Sequence, residues 1–169
     1  MPNDERIRLV EIEEGYLIGA KRNHGCELAR GELIAHWDDD DWSAPERLAD
    51  QVQRITETGK AVTGYRTMCF LEGSHWWLYQ GEPLFALGTS LCYRRDWWAA
   101  NRFKAIQVDE DGTFVKAAQM ERQIAVIEAG ARMYATVHSG NTSPRNLHGN
   151  ASYRFLGDEE VPGELKAAA

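Results

Sequence analysis

The first part of the chain alternates short apolar runs with a helical pattern. The runs 7–12 (IRLVEI) and 33–37 (LIAHW) have the length and the apolar content of strands. Between them, the segment 19–29 has the pattern of a helix that ends at Gly31. The alternation predicts a strand, a helix and a second strand in that order.

The middle of the chain is rich in strand-forming residues. Ser43, with Glu46 three residues later, has the pattern of a capping box and predicts a helix over the apolar repeat that follows. The aromatic segment 61–80 contains a Glu-Gly-Ser break and predicts two strands joined by a turn. The remaining predictions are a strand at 89–93, a helix at 96–101, a helix at 111–121 and a strand at 124–128. Together these elements predict an α/β fold with a mixed sheet.

Length and composition limit the possible organisation. The 169 residues suffice for one domain, which we place at 1–156, followed by a polar, frayed tail at 157–169. The formal net charge of −7 argues against a nucleic-acid partner. No apolar run reaches the roughly 18 residues that span a membrane, and the first residues (MPNDERIRL) lack a secretory signal, so we expect a cytoplasmic location.

Four consecutive aspartates, 38–41, directly follow the second predicted strand. In open α/β sheets, ligands bind at the carboxyl ends of the strands. Asp38 and Asp40 point the same way if the backbone stays extended, and carboxylate oxygens are the ligands that Mg²⁺ and Mn²⁺ prefer. Acidic runs are also common in solvated loops, so this pattern alone leaves both interpretations open.

Two cations near the start of the first helix are the second candidate feature. Lys21 and Arg22 lie between Gly19 and Gly25. Backbone N–H groups at a helix start favour anions, and an arginine can contact a phosphate with two hydrogen bonds. Two solvated surface cations would give the same pattern.

From Gly19 to Leu48, the sequence GAKRNHGCELARGELIAHWDDDDWSAPERL resembles the family 2 glycosyltransferases of the GT-A fold. Their segment runs Ala-Arg-Asn-x-Gly, then Ala-x-Gly-Glu-x-Ile, then an apolar strand that ends in Asp-x-Asp, with a proline downstream. The resemblance implies a GT-A-like, Rossmann-related fold with a mixed, mainly parallel sheet flanked by helices. It also implies metal-dependent transfer of a sugar from a nucleotide-diphosphate sugar to a hydroxyl acceptor, either a carbohydrate or another molecule.

The same resemblance implies roles for the acidic cluster. Asp38, Asp39 and Arg22 would bind the donor, and Asp40 would hold Mn²⁺ or Mg²⁺. His138 lies in YATVHSGNTS, which resembles the closing strand and loop of the family, and would complete the metal site. A lone histidine is more often an ordinary surface or core residue.

The acceptor side is implied by the segment VDEDGTFVKAA, which matches the Glu-Asp pair of the family. Asp111 would be the base that takes the acceptor proton, which implies inversion, and Glu110 beside it would contact the acceptor. An acidic helix start stabilised by the helix dipole would give the same pattern. Trp76 and Trp97 would stack on a sugar, although one member of each adjacent tryptophan pair is expected in the core.

The resemblance covers residues 7–145 and lacks the first strands of the family, which hold the nucleobase and part of the ribose. Their absence would leave an open apolar sheet edge. A second copy could pair with that edge, another polypeptide could complete it, or the chain could be a remnant without activity. We expect a homodimer ahead of a separate partner chain.

A second class of function stays open. A non-catalytic GT-A-like binding or assembly module, derived from a truncated glycosyltransferase, would keep the fold and the acidic cluster without turnover. Asp111→Asn separates the two classes, because only an enzyme has turnover to lose. A metal-dependent phosphohydrolase is disfavoured, since the chain lacks recurrent His and Asp ligand sets.

Overall fold

The computed structural model describes residues 4–12, 14–142 and 145–169. The helices are α1 (Ile18–Leu28), α2 (Arg47–Thr58), α3 (Arg95–Ala100), α4 (Glu110–Met120) and α5 (Gly163–Ala168). The strands are β1 (Leu33–Ala35), β2 (Trp42–Ser43), β3 (Val62–Glu72), β4 (His75–Gln80), β5 (Cys92–Arg94), β6 (Ile124–Glu128), β7 (Met133–Val137) and β8 (Tyr153–Leu156). Within the described ranges, none of the helices is long and apolar enough to cross a membrane.

The long strand β3 organises the sheet. Its first half pairs with β5 and β6, and its second half pairs with β4 and β7. Strand β1 continues the sheet beyond β5, β8 continues it beyond β4, and β2 pairs with β7. Strand β1 therefore forms one edge of the sheet, three residues before the aspartate run.

The expected mixed α/β sheet is confirmed, but parallel pairing within the described part of the chain is limited to β3 with β6 and β3 with β7. The other pairs are antiparallel. One reason is the tight turn at Gly73, which has φ +59° and returns the chain directly from β3 to β4. A hairpin of this kind can join only antiparallel strands.

Helices α1, α3 and α4 pack on the sheet around one hydrophobic cluster. Cys26 of α1, Trp97 and Trp98 of α3, and Phe114 of α4 belong to it, together with Val62 of β3. The three cysteines are free and buried. This packing fixes the starts of α1 and α4 beside the carboxyl end of β1, where the aspartates lie.

Four local predictions differ from the structure. The strand predicted at 89–93 is shorter, because Gly88–Ser90 form a 3-10 turn and only Cys92–Arg94 form the strand. Residues 7–12 form no strand, because no neighbouring strand pairs with them, and Leu9 is 69% exposed. The capping box at Ser43 does not form, since α2 begins only at Arg47 and Ser43 lies in β2. Part of the expected frayed tail is helix α5, whose Leu165 is fully buried against β4 and β8.

Candidate active site

A cleft of about 700 Å³ opens at the carboxyl end of β1. Three separate segments form its polar walls. They are the aspartate run 38–41, the start of α4 at Glu110 and Asp111, and the loop 138–142 that follows β7. The candidate residues Arg22, Asp38, Asp39, Asp40, Glu110, Asp111 and His138 all line this cleft.

Asp40 contacts His138 directly across the cleft wall. His138 Nε2 lies 2.9 Å from Asp40 Oδ2, and the Gly140 N–H donates to His138 Nδ1 at 3.0 Å. Because Nδ1 accepts, the neutral ring carries its proton on Nε2 and donates it to Asp40. Asn141 Nδ2 donates to the same Asp40 oxygen at 3.1 Å. The aspartate run is thereby tied to the loop after β7.

Asp41, which the sequence left without a role, anchors the aspartate run to the sheet. Its carboxylate accepts hydrogen bonds from the Thr89 hydroxyl and from the Thr136 N–H. Burial raises the pKa of the Asp41 carboxyl to about 6, although the two hydrogen bonds act in the opposite direction. Only its position as the fourth acid of the run could have indicated this role.

Arg22 is held by a buried ion pair rather than lying free in solvent. Its Nε donates to Glu110 Oε1 at 2.9 Å, and only 5% of the Glu110 side chain is exposed. Glu110 therefore positions Arg22 at the cleft and has little surface left for an acceptor. This placement differs from the acceptor contact that the sequence suggested for Glu110, because a buried carboxylate needs a paired cation.

His36 connects this pair to the sheet and was not recognised from the sequence. Its Nδ1 lies 2.8 Å from the Gly88 carbonyl oxygen and 2.7 Å from Arg22 Nη1, and its Nε2 lies 3.0 Å from the Tyr93 hydroxyl. Burial, together with the positive charge of Arg22, lowers the pKa of His36 to about 3, so the ring is neutral at physiological pH. The sequence feature that could have indicated this role is that His36 is the one polar residue in the apolar run 33–37.

Asp111 lies in the first turn of α4, half-buried, with its carboxylate against Gly88. A Cβ atom at Gly88 would overlap Asp111 Oδ2. The position of this carboxylate therefore depends on a glycine in the segment before β5.

Arg47 braces the backbone behind the aspartates. It is fully buried, and its Nη2 donates to the carbonyl oxygens of His36 at 2.8 Å and Thr89 at 3.0 Å. The guanidinium also lies 4.6 Å from the ring centre of Trp37, which is 51% exposed at the cleft. These contacts join the end of β1 to the segment that carries Gly88.

Trp76 and Trp97 lie in the core instead of the cleft. Trp76 packs with Tyr134 and Leu156 under α5, and Trp97 packs in the cluster around α1 and α4. Both are less than 10% exposed, which leaves too little ring surface to stack on a sugar. The expectation that one member of each tryptophan pair is buried holds for Trp76, whereas Trp97 and Trp98 are both buried because α3 packs with two faces.

The donor atoms of the cleft fit a hard divalent cation in part. Among the residues that the structure describes, no group of three or more His, Cys, Asp or Glu side chains is arranged to hold a metal. Asp40 Oδ2 and His138 Nε2 are adjacent and partly exposed. Mg²⁺ commonly takes one or two protein ligands and completes its shell with water and substrate phosphates. The pair therefore suits a cation that arrives with a phosphate-bearing ligand.

Comparison with known proteins places these features in a family. The model of glycosyl transferase family 2 matches residues 1–120. EpsH of Bacillus subtilis (strain 168), described as a glycosyltransferase, is 39% identical over 64 residues, which are 37% of this chain and 18% of that protein. The succinoglycan biosynthesis protein ExoO of Rhizobium meliloti (strain 1021) is 36% identical over 59 residues, which are 35% of this chain and 17% of that protein.

The fold resembles crystal structures of S. aureus TarS. The TarS 1-349 complex with UDP-GlcNAc aligns over 75% of this chain and 41% of that chain, with a TM-score of 0.59 and 23% identity. A second TarS structure aligns over 72% of this chain and 25% of that chain, with a TM-score of 0.55 and 25% identity. The chain thus spans less than half of the length of the proteins to which it is similar.

Proposed function

The chain belongs to glycosyl transferase family 2, and from this membership we propose that it transfers a sugar from a nucleotide-diphosphate sugar to a hydroxyl acceptor with inversion. One observation carries the proposal. Asp40, Asp111 and His138 lie far apart in the sequence, yet all three side chains line one cleft beside the end of β1. TarS, which shares the fold, was crystallised with UDP-GlcNAc and with UDP, which supports a nucleotide-sugar donor.

Asp111 is the proposed base. It lies in the cleft wall, partly accessible, in the first turn of α4. A carboxylate there can take the proton of an acceptor hydroxyl as the oxygen attacks the anomeric carbon. A base on the side opposite the leaving group gives a single displacement, and hence inversion.

The donor side is proposed to comprise Asp38, Asp39 and Arg22. Arg22 brings a guanidinium to the cleft, and its orientation is fixed by Glu110 and His36. A fixed guanidinium suits a diphosphate, because little side-chain entropy remains to be lost on binding. Asp38 and Asp39 line the same cleft and offer acceptors for donor hydroxyl groups.

Asp40 and His138 are proposed to hold Mn²⁺ or Mg²⁺. A divalent cation bound there would neutralise the charge that develops on the leaving nucleoside diphosphate. To ligate the cation through Nε2, the neutral His138 ring would carry its proton on Nδ1 in place of the Gly140 contact, and Asn141 would keep Asp40 in place through its hydrogen bond.

Strand β1 is proposed to pair with a second copy of the chain. Among the residues that the structure describes, β1 pairs with β5 alone, and exposed apolar residues of 7–12 lie beside the groove next to β1. An open strand edge flanked by apolar surface is commonly closed by pairing. The cytoplasmic location expected from the sequence stays a prediction.

Calorimetric titration tests the proposed donor site. UDP, GDP and their common sugar conjugates are titrated into the folded protein with and without Mn²⁺, beside Asp40→Asn. Metal-dependent binding that Asp40→Asn abolishes supports the proposal. If no nucleotide binds to the folded protein, the chain is not a self-sufficient enzyme, and a binding or assembly module becomes the better assignment.

A further inference from the structure

The sheet carries a row of aromatic side chains on the face of β4 opposite to Trp76. Trp77 and Tyr79 of β4 lie directly across from Phe155 and Tyr153 of β8. The ring centres are 5.4 Å apart for Trp77 and Phe155, and 5.0 Å apart for Tyr79 and Tyr153. We call these four residues the aromatic surface.

This surface is only partly covered, unlike the opposite face of the same strands. Phe155 is 50% exposed, whereas Trp77, Tyr79 and Tyr153 are half-buried and pack on one side against the cluster that contains Phe70. On the opposite face, Trp76 and Leu156 are buried beneath Leu165 of α5. Water-accessible aromatic rings on neighbouring strands are more costly than polar residues would be, which favours a ligand for them.

Arg145 connects the aromatic surface with the cleft. It lines the cleft, its Nη1 donates to the Tyr153 hydroxyl at 3.2 Å, and its guanidinium lies 5.0 Å from the ring centre of Phe70. Phe70 lies beneath Tyr153, with ring centres 5.3 Å apart. A molecule with one end at Asp111 can therefore extend past Arg145 onto Tyr153 and its neighbours.

The chemistry of the surface suits a chain of sugar units. Aromatic faces stack on the C–H faces of sugar rings, while the tyrosine hydroxyls offer hydrogen bonds to sugar hydroxyls. His75, His148 and Glu72 border the surface, and His148 Nε2 lies 3.3 Å from Glu72 Oε2. This mixed and weakly charged border suits neither a lipid surface nor a polyphosphate.

We propose that the aromatic surface binds an extended carbohydrate acceptor whose reactive end lies in the cleft. The proposal rests on the proposed glycosyl transfer and names its acceptor as an oligosaccharide rather than a small alcohol. It also replaces Trp76 and Trp97 by Trp77, Tyr79, Tyr153 and Phe155 as the aromatic contacts of the acceptor.

Fluorine NMR of protein labelled with 5-fluorotryptophan tests this directly. The Trp77 resonance is assigned with Trp77→Phe, and cello-, malto- and chito-hexaose are added as probes. At least one hexasaccharide is expected to shift the Trp77 resonance. Phe155→Ala is expected to weaken that binding roughly three- to tenfold, as the loss of one stacking contact predicts. Met120→Ala, which removes a 77% exposed side chain at the end of α4, should leave it unchanged.

UDP titration of the same samples separates the two proposals. Phe155→Ala with normal UDP binding and weakened hexasaccharide binding supports an acceptor surface outside the donor site. UDP binding without any Trp77 shift, or a shift that Phe155→Ala leaves unchanged, overturns the acceptor surface but not the donor site. If the Trp77 resonance shifts but UDP does not bind, carbohydrate binding by the aromatic surface is supported and the proposed glycosyl transfer is contradicted. Self-association abolished by Phe155→Ala, with no response to sugar, would assign the surface to a second copy and overturn the proposal.

Discussion

His138 donates its Nε2 proton to Asp40 across 2.9 Å, while its Nδ1 accepts the N–H of Gly140. The ring is thus held in one tautomer, and Nε2 becomes available to a cation when the ring proton moves to Nδ1 and the Gly140 contact opens. The contact joins two residues that are 98 positions apart in the chain. It sets the first expectation about metal binding.

His138→Ala should weaken Mn²⁺-dependent UDP binding by at least roughly tenfold, because it removes half of the proposed ligand pair. Electron paramagnetic resonance measures Mn²⁺ binding, and calorimetry measures UDP binding in the presence of Mn²⁺. His24→Ala, which removes a histidine near Glu27 on α1, is the control. Equal affinity of His138→Ala and the wild-type chain would exclude His138 from the metal site.

Asp111→Asn should lower the transfer rate by roughly 10²- to 10⁴-fold, the usual contribution of a general base. Donor binding should stay within about twofold, since the amide keeps the size of the side chain. Asp109→Asn is the matched control, because Asp109 is exposed at the same helix start and asparagine tolerates its φ of +67°. If both variants retain turnover, another residue acts as the base.

Gly88→Ala should impair turnover without loss of the fold. The new Cβ would overlap the Asp111 carboxylate, and moving a catalytic group by about 1 Å costs on the order of 10²-fold in rate. Gly25→Ala, a helical position with nothing within 4 Å of the added Cβ, is the matched control. A Gly88→Ala protein with full activity would show that Asp111 need not occupy this position.

His36 should make the protein less stable as the pH falls. Its pKa is about 3 in the folded chain and 6.5 in an unperturbed histidine, so the unfolded chain binds a proton between these values that the folded chain does not. The stabilisation is complete above pH 6.5 and is lost as the pH falls toward 3, by about 1.4 kcal/mol per pH unit.

His36→Gln should remove this slope, measured as the difference in unfolding free energy between the variant and the wild-type chain from neutral to mildly acidic pH. The difference is needed because Asp41, whose pKa is raised to about 6, contributes a slope of opposite sign below that pH. His24→Gln, at a partly exposed position on α1, should keep the wild-type slope. Identical slopes for His36→Gln and the wild-type chain would contradict the buried, neutral state of His36.

Elements with a strong local pattern were predictable, whereas contacts between distant segments were not. The β3–β4 hairpin and helices α1 and α4 follow from residue type and spacing, and the aspartates were predicted at the end of an apolar strand, where ligands bind in open α/β sheets. A strand at 7–12 was wrongly predicted, because apolar residues form a strand only beside a partner. The burial of Glu110 with Arg22 depends on two segments 88 residues apart and has no local signal.

The edge strand β1 leads to the last expectation, which concerns the oligomeric state. His36 N–H and Glu32 C=O bond to the β5 side, so the backbone groups of Leu33 and Ala35 point outward along the free edge. The wild-type chain should therefore dimerise in sedimentation equilibrium. Ala35→Pro should give a monomer, because proline removes an outward N–H without breaking the bonds to β5.

A second variant avoids the risk that proline unfolds the edge. Leu9→Lys places a charge on a 69% exposed residue beside the same groove and should also give a monomer, whereas Val108→Lys, at a 55% exposed position elsewhere, should leave the dimer intact. A wild-type chain that stays monomeric at all concentrations would contradict pairing through β1. A dimer that persists in both edge variants would place the interface on another surface.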